Sequence, residues 1–180
     1  YKTAVNMSAD SNLTLGNTVI NGGLDGTSPV VSMTGNNDLI LKNTTINATK
    51  SSAISMAGTD NILSIEEKSI INGKIESAGA NNTITIKESI INGDILATAG
   101  NNTLNLIGNR DEKRVVLYNN TMNIFHNIDG FENINIVNNV AFYEDAKITN
   151  VEKLNIEKDG ILVLRIDSTK KDGSGIKGHA

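Results

Sequence analysis

The fold class predicted by this sequence is all-β: a right-handed, single-stranded parallel β-helix (a solenoid) of about seven coils. Three observations predict it. Short strand-like triplets recur at a drifting period of about twenty residues, the mark of a repeat architecture. Inside each triplet, Ile, Leu or Val alternates with Thr, Ser or Asn, the period-two pattern of a half-buried strand. The composition is 38% hydrophobic but only 3% aromatic, with 27 Asn and 24 Ile. A compact globule anchors its core on large aromatic side chains, so this core should be narrow and elongated.

The first strand of each coil reads Val5-Asn6-Met7, Val31-Ser32-Met33, Ile54-Ser55-Met56, Ile75-Glu76-Ser77 and Ile95-Leu96-Ala97. A turn rich in Gly, Asn or Asp follows, clearest at Gly35-Asn36-Asn37, Gly58-Thr59-Asp60-Asn61, Gly79-Ala80-Asn81-Asn82 and Gly100-Asn101-Asn102. Such residues tolerate the left-handed backbone that tight corners need. The second strand begins at Leu13, Leu39, Leu63, Ile84, Leu104, Ile134 and Leu154, in steps of 26, 24, 21, 20, 30 and 20 residues. A third strand ends in Ile-Asn at Ile20-Asn21, Ile46-Asn47, Ile71-Asn72 and Ile91-Asn92. Strands this short are unstable alone. Three per coil, joined by corners, trace a triangle that stacks on its neighbours at roughly 4.8 Å. Variable steps with persistent strands mean that insertions project outward while the rungs stay stacked.

The predicted β-helix covers residues 1–166, closing on a longer strand from Ile161 to Ile166 with Leu162, Leu164 and Ile166 on one side. Residues 167–180 are rich in Lys, Gly and Ser and read as a flexible tail or the start of a following segment. The chain opens inside a repeat, which predicts a piece of a longer protein whose targeting information lies elsewhere.

Two features stand out as candidate sites. Asn21, Asn47, Asn72 and Asn92 share a corner, so their amides are expected to stack into a hydrogen-bonded ladder. A row of ligand amides for a sugar or an ion is the functional alternative, but a corner needing an Asn-compatible turn accounts for them. The second is the charged insertion Arg110, Asp111, Glu112, Lys113 and Arg114, read as a solvated loop or, more sharply, as a contact point for a receptor or a neighbouring domain. The Gly22–Ser28 loop is a smaller candidate of the same kind.

A net charge of −4 gives no basic footprint for nucleic acid. No apolar run is long enough to cross a bilayer, and no signal peptide is visible. With no cysteine, the chain suits either the cytosol or an export route that needs a reduced, unfolded polypeptide. Glu66, Glu67, Glu88, Asp60 and Asp94 are the acids a β-helical lyase or glycosidase could use, since adjacent coils could space two carboxyls for glycoside hydrolysis. Yet Lys42, Glu66-Glu67-Lys68 and Lys87-Glu88 follow equivalent strands and read as mixed charge on a solvated face. The two histidines, His126 and His179, lie far apart in the chain. No catalytic residue, cofactor or metal ligand is assigned. Residues 4–107 hold no aromatic residue, whereas Tyr118, Phe125, Phe131, Phe142 and Tyr143 cluster later. They are expected to fill a coil of altered shape or cap the core, with a binding patch as the alternative. Calcium-binding Gly-Gly-x-Gly-x-Asp runs are missing. Thr83-Ile84-Thr85 lacks the neighbours of an ice-binding Thr-x-Thr array.

The run Gly100–Leu106 and the phrase Asn127-Ile128-Asp129-Gly130-Phe131-Glu132-Asn133-Ile134-Asn135-Ile136 resemble the passenger repeats of type V autotransporters. The Asn-, Ile- and Lys-rich wording is similar to the large fusobacterial autotransporter adhesins. The resemblance implies a monomeric passenger on the bacterial cell surface, tethered to the outer membrane by a C-terminal barrel outside this sequence. It would serve as a stem or adhesive segment, attaching to a host-cell receptor or glycan or to another bacterium. It would also give the lack of cysteine a reason, because disulfides formed early would block passage of an unfolded chain. The alternatives are a carbohydrate-active β-helix enzyme and a phage- or fimbria-like structural β-helix.

Overall fold

A computed structural model describes residues 2–109, 122–143 and 145–164. Every regular element among them is a strand, and every strand pair is parallel, so the chain is a β-solenoid of about seven turns. Strands are numbered in chain order. The first face stacks β1 (Val5–Met7), β4 (Val31–Met33), β7 (Ile54–Met56), β10 (Ile75–Ser77), β13 (Ile95–Ala97), β16 (Ile128–Asp129) and β19 (Ile148–Thr149). The second stacks β2 (Ser11–Gly16), β5 (Asn37–Lys42), β8 (Ile62–Glu66), β11 (Thr83–Lys87), β14 (Thr103–Ile107), β17 (Asn133–Val137) and β20 (Lys153–Ile156).

The third face is split. One sheet holds β3 (Val19–Gly22), β6 (Thr45–Ala48), β9 (Ile70–Asn72) and β12 (Ile90–Asn92); a separate sheet holds β15 (Met122–Ile124), β18 (Asn139–Phe142) and β21 (Ile161–Leu164). The split falls where the long insertion after β14 interrupts the repeat.

Register follows the aliphatic pattern. Leu13, Leu39, Leu63, Ile84, Leu104, Ile134 and Leu154 pair in sequence down the second face. From Leu39 to Ile134 these side chains are fully buried, but Leu13 is half-buried and Leu154 is 42% exposed. The outermost coils have a described neighbour on one side only, so the burial that drives folding accrues to coils held between two others.

Corners use residues that accept positive φ. Asn17, Asn43, Glu88 and Asn138 turn the chain from the second face to the third at φ of 45–58°. Asp60, Asn81 and Asn101 do the same between the first and second faces, at 58–63°. Asn and Asp adopt this region at lower cost than most residues.

The inward position closing each first-face strand shrinks along the column, from Met7, Met33 and Met56 to Ser77, Ala97 and Gly130. At Gly130 a Cβ would lie 2.0 Å from the Ala97 carbonyl oxygen, so no larger residue fits there. The next residue, Phe131, is fully buried and restores the volume. Phe142 is buried as well. Two of the late aromatics therefore fill a coil of altered shape, as the sequence suggests.

Candidate functional site

Asn21, Asn47, Asn72 and Asn92 stand in one outward column on the third face. Each amide nitrogen donates to the Oδ1 of the preceding coil: Asn47 to Asn21 at 2.8 Å, Asn72 to Asn47 at 2.6 Å and Asn92 to Asn72 at 2.7 Å. A hydrogen bond of this exposed kind contributes about 0.5–1.5 kcal/mol net. A second outward ladder runs along the second face, from Asn155 to Asn135 and from Asn135 to Asn105, both at 2.8 Å, and from Asn105 to Thr85 at 3.1 Å. Thr83 and Thr85 lie beside Thr103 and Asn105 on one side and beside Ile62 and Ser64 on the other, so the Thr-x-Thr pattern does not continue into either neighbouring coil.

A third column, inside the first corner, was not legible as a ladder. Asn37 opens β5, Asn61, Asn82 and Asn102 each stand just before a second-face strand, and all four are at most 1% exposed. The backbone N–H of Asn37 donates to Asn61 Oδ1 at 3.0 Å, that of Asn61 to Asn82 at 2.8 Å, and that of Asn82 to Asn102 at 2.9 Å. Ser11 Oγ joins at the first coil, donating to Asn37 Oδ1 at 2.8 Å. At the other end a carboxylate takes over: Asn102 N–H donates to Glu132 Oε2 at 2.7 Å. Partial burial works against ionisation of Glu132, but backbone N–H groups of Asn101, Asn102 and Glu132 itself outweigh it and lower its pKa. The available signal was an Asn at the same register in four successive coils, at the start of the second strand.

The corner between the third and first faces is where surface shape varies. Its connections hold eight residues after β3, five after β6, two after β9, two after β12, three after β15 and five after β18. The longest, residues 23–30, holds the Gly22–Ser28 candidate except for Gly22, which ends β3. Asp25 organises it, with its Oδ2 accepting from Ser28 Oγ at 2.7 Å and its Oδ1 from the N–H groups of Ser28 and Thr27 at 2.8 and 3.0 Å. These bonds lower the Asp25 pKa to about 2. Leu24 is 44% exposed on this ordered loop. In the next coil but one, Glu76 accepts from both Lys74 Nζ and Ser52 Oγ.

The short connections Gly73-Lys74 and Gly93-Asp94 leave a step at this corner, two coils high. A Cβ on Gly93 would sit 2.4 Å from the Gly73 carbonyl carbon, so the two backbones meet with no room for a side chain. One coil on, Asn127 replaces Asp94 at the residue before the first-face strand, and Asp94 Oδ1 accepts the Asn127 N–H at 3.0 Å. Counting back from the paired Ile95 and Ile128 places Phe125 in the position of Asn92 and His126 in that of Gly93. The outward asparagine column thus continues as Phe125 and then Tyr143, whose ring centroids are 4.3 Å apart at 35°. Both rings are half-buried and His126 is exposed.

Among the described residues, the remaining acidic candidates fall at three corners, with Glu66, Glu67 and Glu88 sharing one. The charged insertion Arg110–Arg114, Tyr118, Ile166, the 167–180 tail and His179 lie outside the described residues. Glu66 and Glu67 sit at the second corner beside Lys42, at 3.6 and 3.3 Å, and hold its pKa above the usual lysine value. Glu88 is at the equivalent corner one coil on, Asp60 at the first corner and Asp94 at the third. Among the described residues no three His, Asp or Glu side chains group to hold a metal ion. Comparison of the chain with protein-family models, with curated proteins and with solved structures finds no match.

Proposed function

We propose that this chain is a structural stem or adhesive segment of a surface-displayed bacterial autotransporter adhesin, mediating or supporting attachment to host cells or to other bacteria. The observation that carries the reading is the division of labour around the solenoid. Continuous ladders stiffen its walls, while ordered loops of unequal length stand out at one corner. A stem needs the first and a contact surface needs the second. The resemblance of Gly100–Leu106 and Asn127–Ile136 to passenger repeats supports the same class. A β-helical lyase or glycosidase needs carboxyls gathered at one cleft; Glu66, Glu67 and Glu88 share the second corner, where Lys42 lies against the first two, while Asp60 and Asp94 stand at the other two corners.

Antibody raised against the purified chain provides the test. It should label intact, unpermeabilised cells, and surface proteolysis should remove that label. Labelling only after lysis would overturn the reading.

A further inference from the structure

We propose that the third-face sheet of β3, β6, β9 and β12 is a contact surface for a second copy of this chain, met with the two solenoid axes antiparallel. The inference rests on the adhesive half of the function proposed above and names the partner.

Three observations carry it. First, two columns face outward on this sheet: the asparagine ladder and, two residues before it, Val19, Thr45, Ile70 and Ile90 in register. Val19 is 64% exposed and Ile90 47%, with Thr45 and Ile70 half-buried between them. Aliphatic side chains lined up on an outer wall gain by being covered. Second, neither column contains an ionisable side chain, whereas Glu76 and Asp129 interrupt the first face and Asp38, Lys42, Glu66 and Lys87 the second. A chain of net charge −4 repels its own copy least through this wall. Third, the two columns are self-complementary about a two-fold axis lying along the strands. That axis exchanges β3 with β12 and β6 with β9, so Val19 meets Ile90, Thr45 meets Ile70 and the asparagine column meets itself. An axis along the solenoid would set aliphatics against amides. Asn47, Asn72 and Asn92 each spend one Nδ2 hydrogen on the preceding coil, and the second is left to donate to an Oδ1 across the contact. Paired sheets with like side chains interdigitated between them have this arrangement.

Size sets the strength of the contact. Four rungs at about 4.8 Å and three residues at about 3.3 Å give a footprint of roughly 200 Å², against roughly 800 Å² per partner in a stable complex. One pair of chains therefore separates readily, and the contact acts by number where many copies face each other. Antiparallel axes suit chains that stand out from two opposed surfaces. A lipid surface would leave the amide column without partners, whereas a second copy supplies them.

Beads carrying the purified 180-residue chain through a C-terminal biotin test the surface. They should cluster, while the free chain sediments as a monomer at micromolar concentration. Ile70→Lys and Ile90→Lys should each slow clustering about tenfold or more, because each strands a charge inside the contact. Thr85→Lys, on the second face, should leave it unchanged. Thr45→Glu beads should also stay dispersed alone, yet cluster when mixed with Ile70→Lys beads, since the two-fold axis brings those positions together. That rescue also shows that both variants fold. Wild-type beads that stay dispersed, clustering indifferent to Ile70→Lys and Ile90→Lys, or variants that do not complement each other overturn the proposal. So does binding of phosphatidylcholine vesicles through the same residues without clustering, which assigns the face to lipid. Surface labelling of cells does not depend on these results, so the partner and the location fail separately.

Discussion

The inner and outer asparagine columns use one residue type for opposite ends. Outside, on the third face, each amide reaches back to the previous coil, with solvent ready to replace any bond that is lost. Inside the first corner the sense reverses: the donor belongs to the earlier coil and Oδ1 to the later one. No water stands in reserve there, since Asn37, Asn61, Asn82 and Asn102 are at most 1% exposed. The energetic stake of a hydrogen bond is set by what its partners do when it is gone. Similar bond lengths therefore predict unequal consequences.

The sharpest way to break the comparison is Asn61→Ala. It strands the Asn37 N–H and leaves Asn37 Nδ2 with only its bond to the Met7 carbonyl. An unsatisfied buried donor costs about 1–3 kcal/mol, so a loss toward the upper end of that range is expected in urea denaturation. A loss no larger than that of an outer-ladder variant would remove the distinction. Glu132→Gln comes next. Because the folded carboxyl has a lowered pKa, its stabilisation is fully present above the ordinary value of 4.5 and fades as pH falls through the folded value. The variant should flatten the acid limb of a stability-versus-pH curve, and an unaltered limb would assign acid loss to other groups. On the outer ladder Asn72→Ala removes one part-buried and one exposed bond; with water able to replace them, the denaturation midpoint should move by the low end of their summed worth, about 1 kcal/mol. Smallest of all is the Gly22–Ser28 loop. With its pKa near 2, Asp25 should keep the Thr27 and Ser28 N–H groups bonded until pH falls through that value. Amide exchange in Asp25→Ala should quicken at Thr27 and Ser28 while global stability holds.

Strand positions were legible because burial imposes period two and stacking imposes register. Leu13 through Leu154 could be aligned by eye, and the structure pairs them in that order. The outer column was legible because the Ile-Asn pair repeats visibly. The inner column was harder, because two adjacent turn residues do different jobs. In Asn81-Asn82 the first takes positive φ and the second enters the core. Composition alone reads both as turn formers. The aromatics divided along the same line. Phe131 and Phe142 fill the core, whereas Phe125 and Tyr143 inherit an exposed asparagine position. Only counting from the following isoleucine separates them. Nor does the sequence show that β15 leaves the sheet of β12.

The inner column also has a consequence for assembly. Every winding from Asn37 to Asn102 leaves a donor that only its successor can satisfy. A chain emerging from its N-terminal end would thus carry one unmet hydrogen at its advancing front and settle it each time a turn is added, a ratchet with a built-in arrow. Glu132 meets that front with a full negative charge, so the link made there is stronger than those before it and marks where the wall changes its construction.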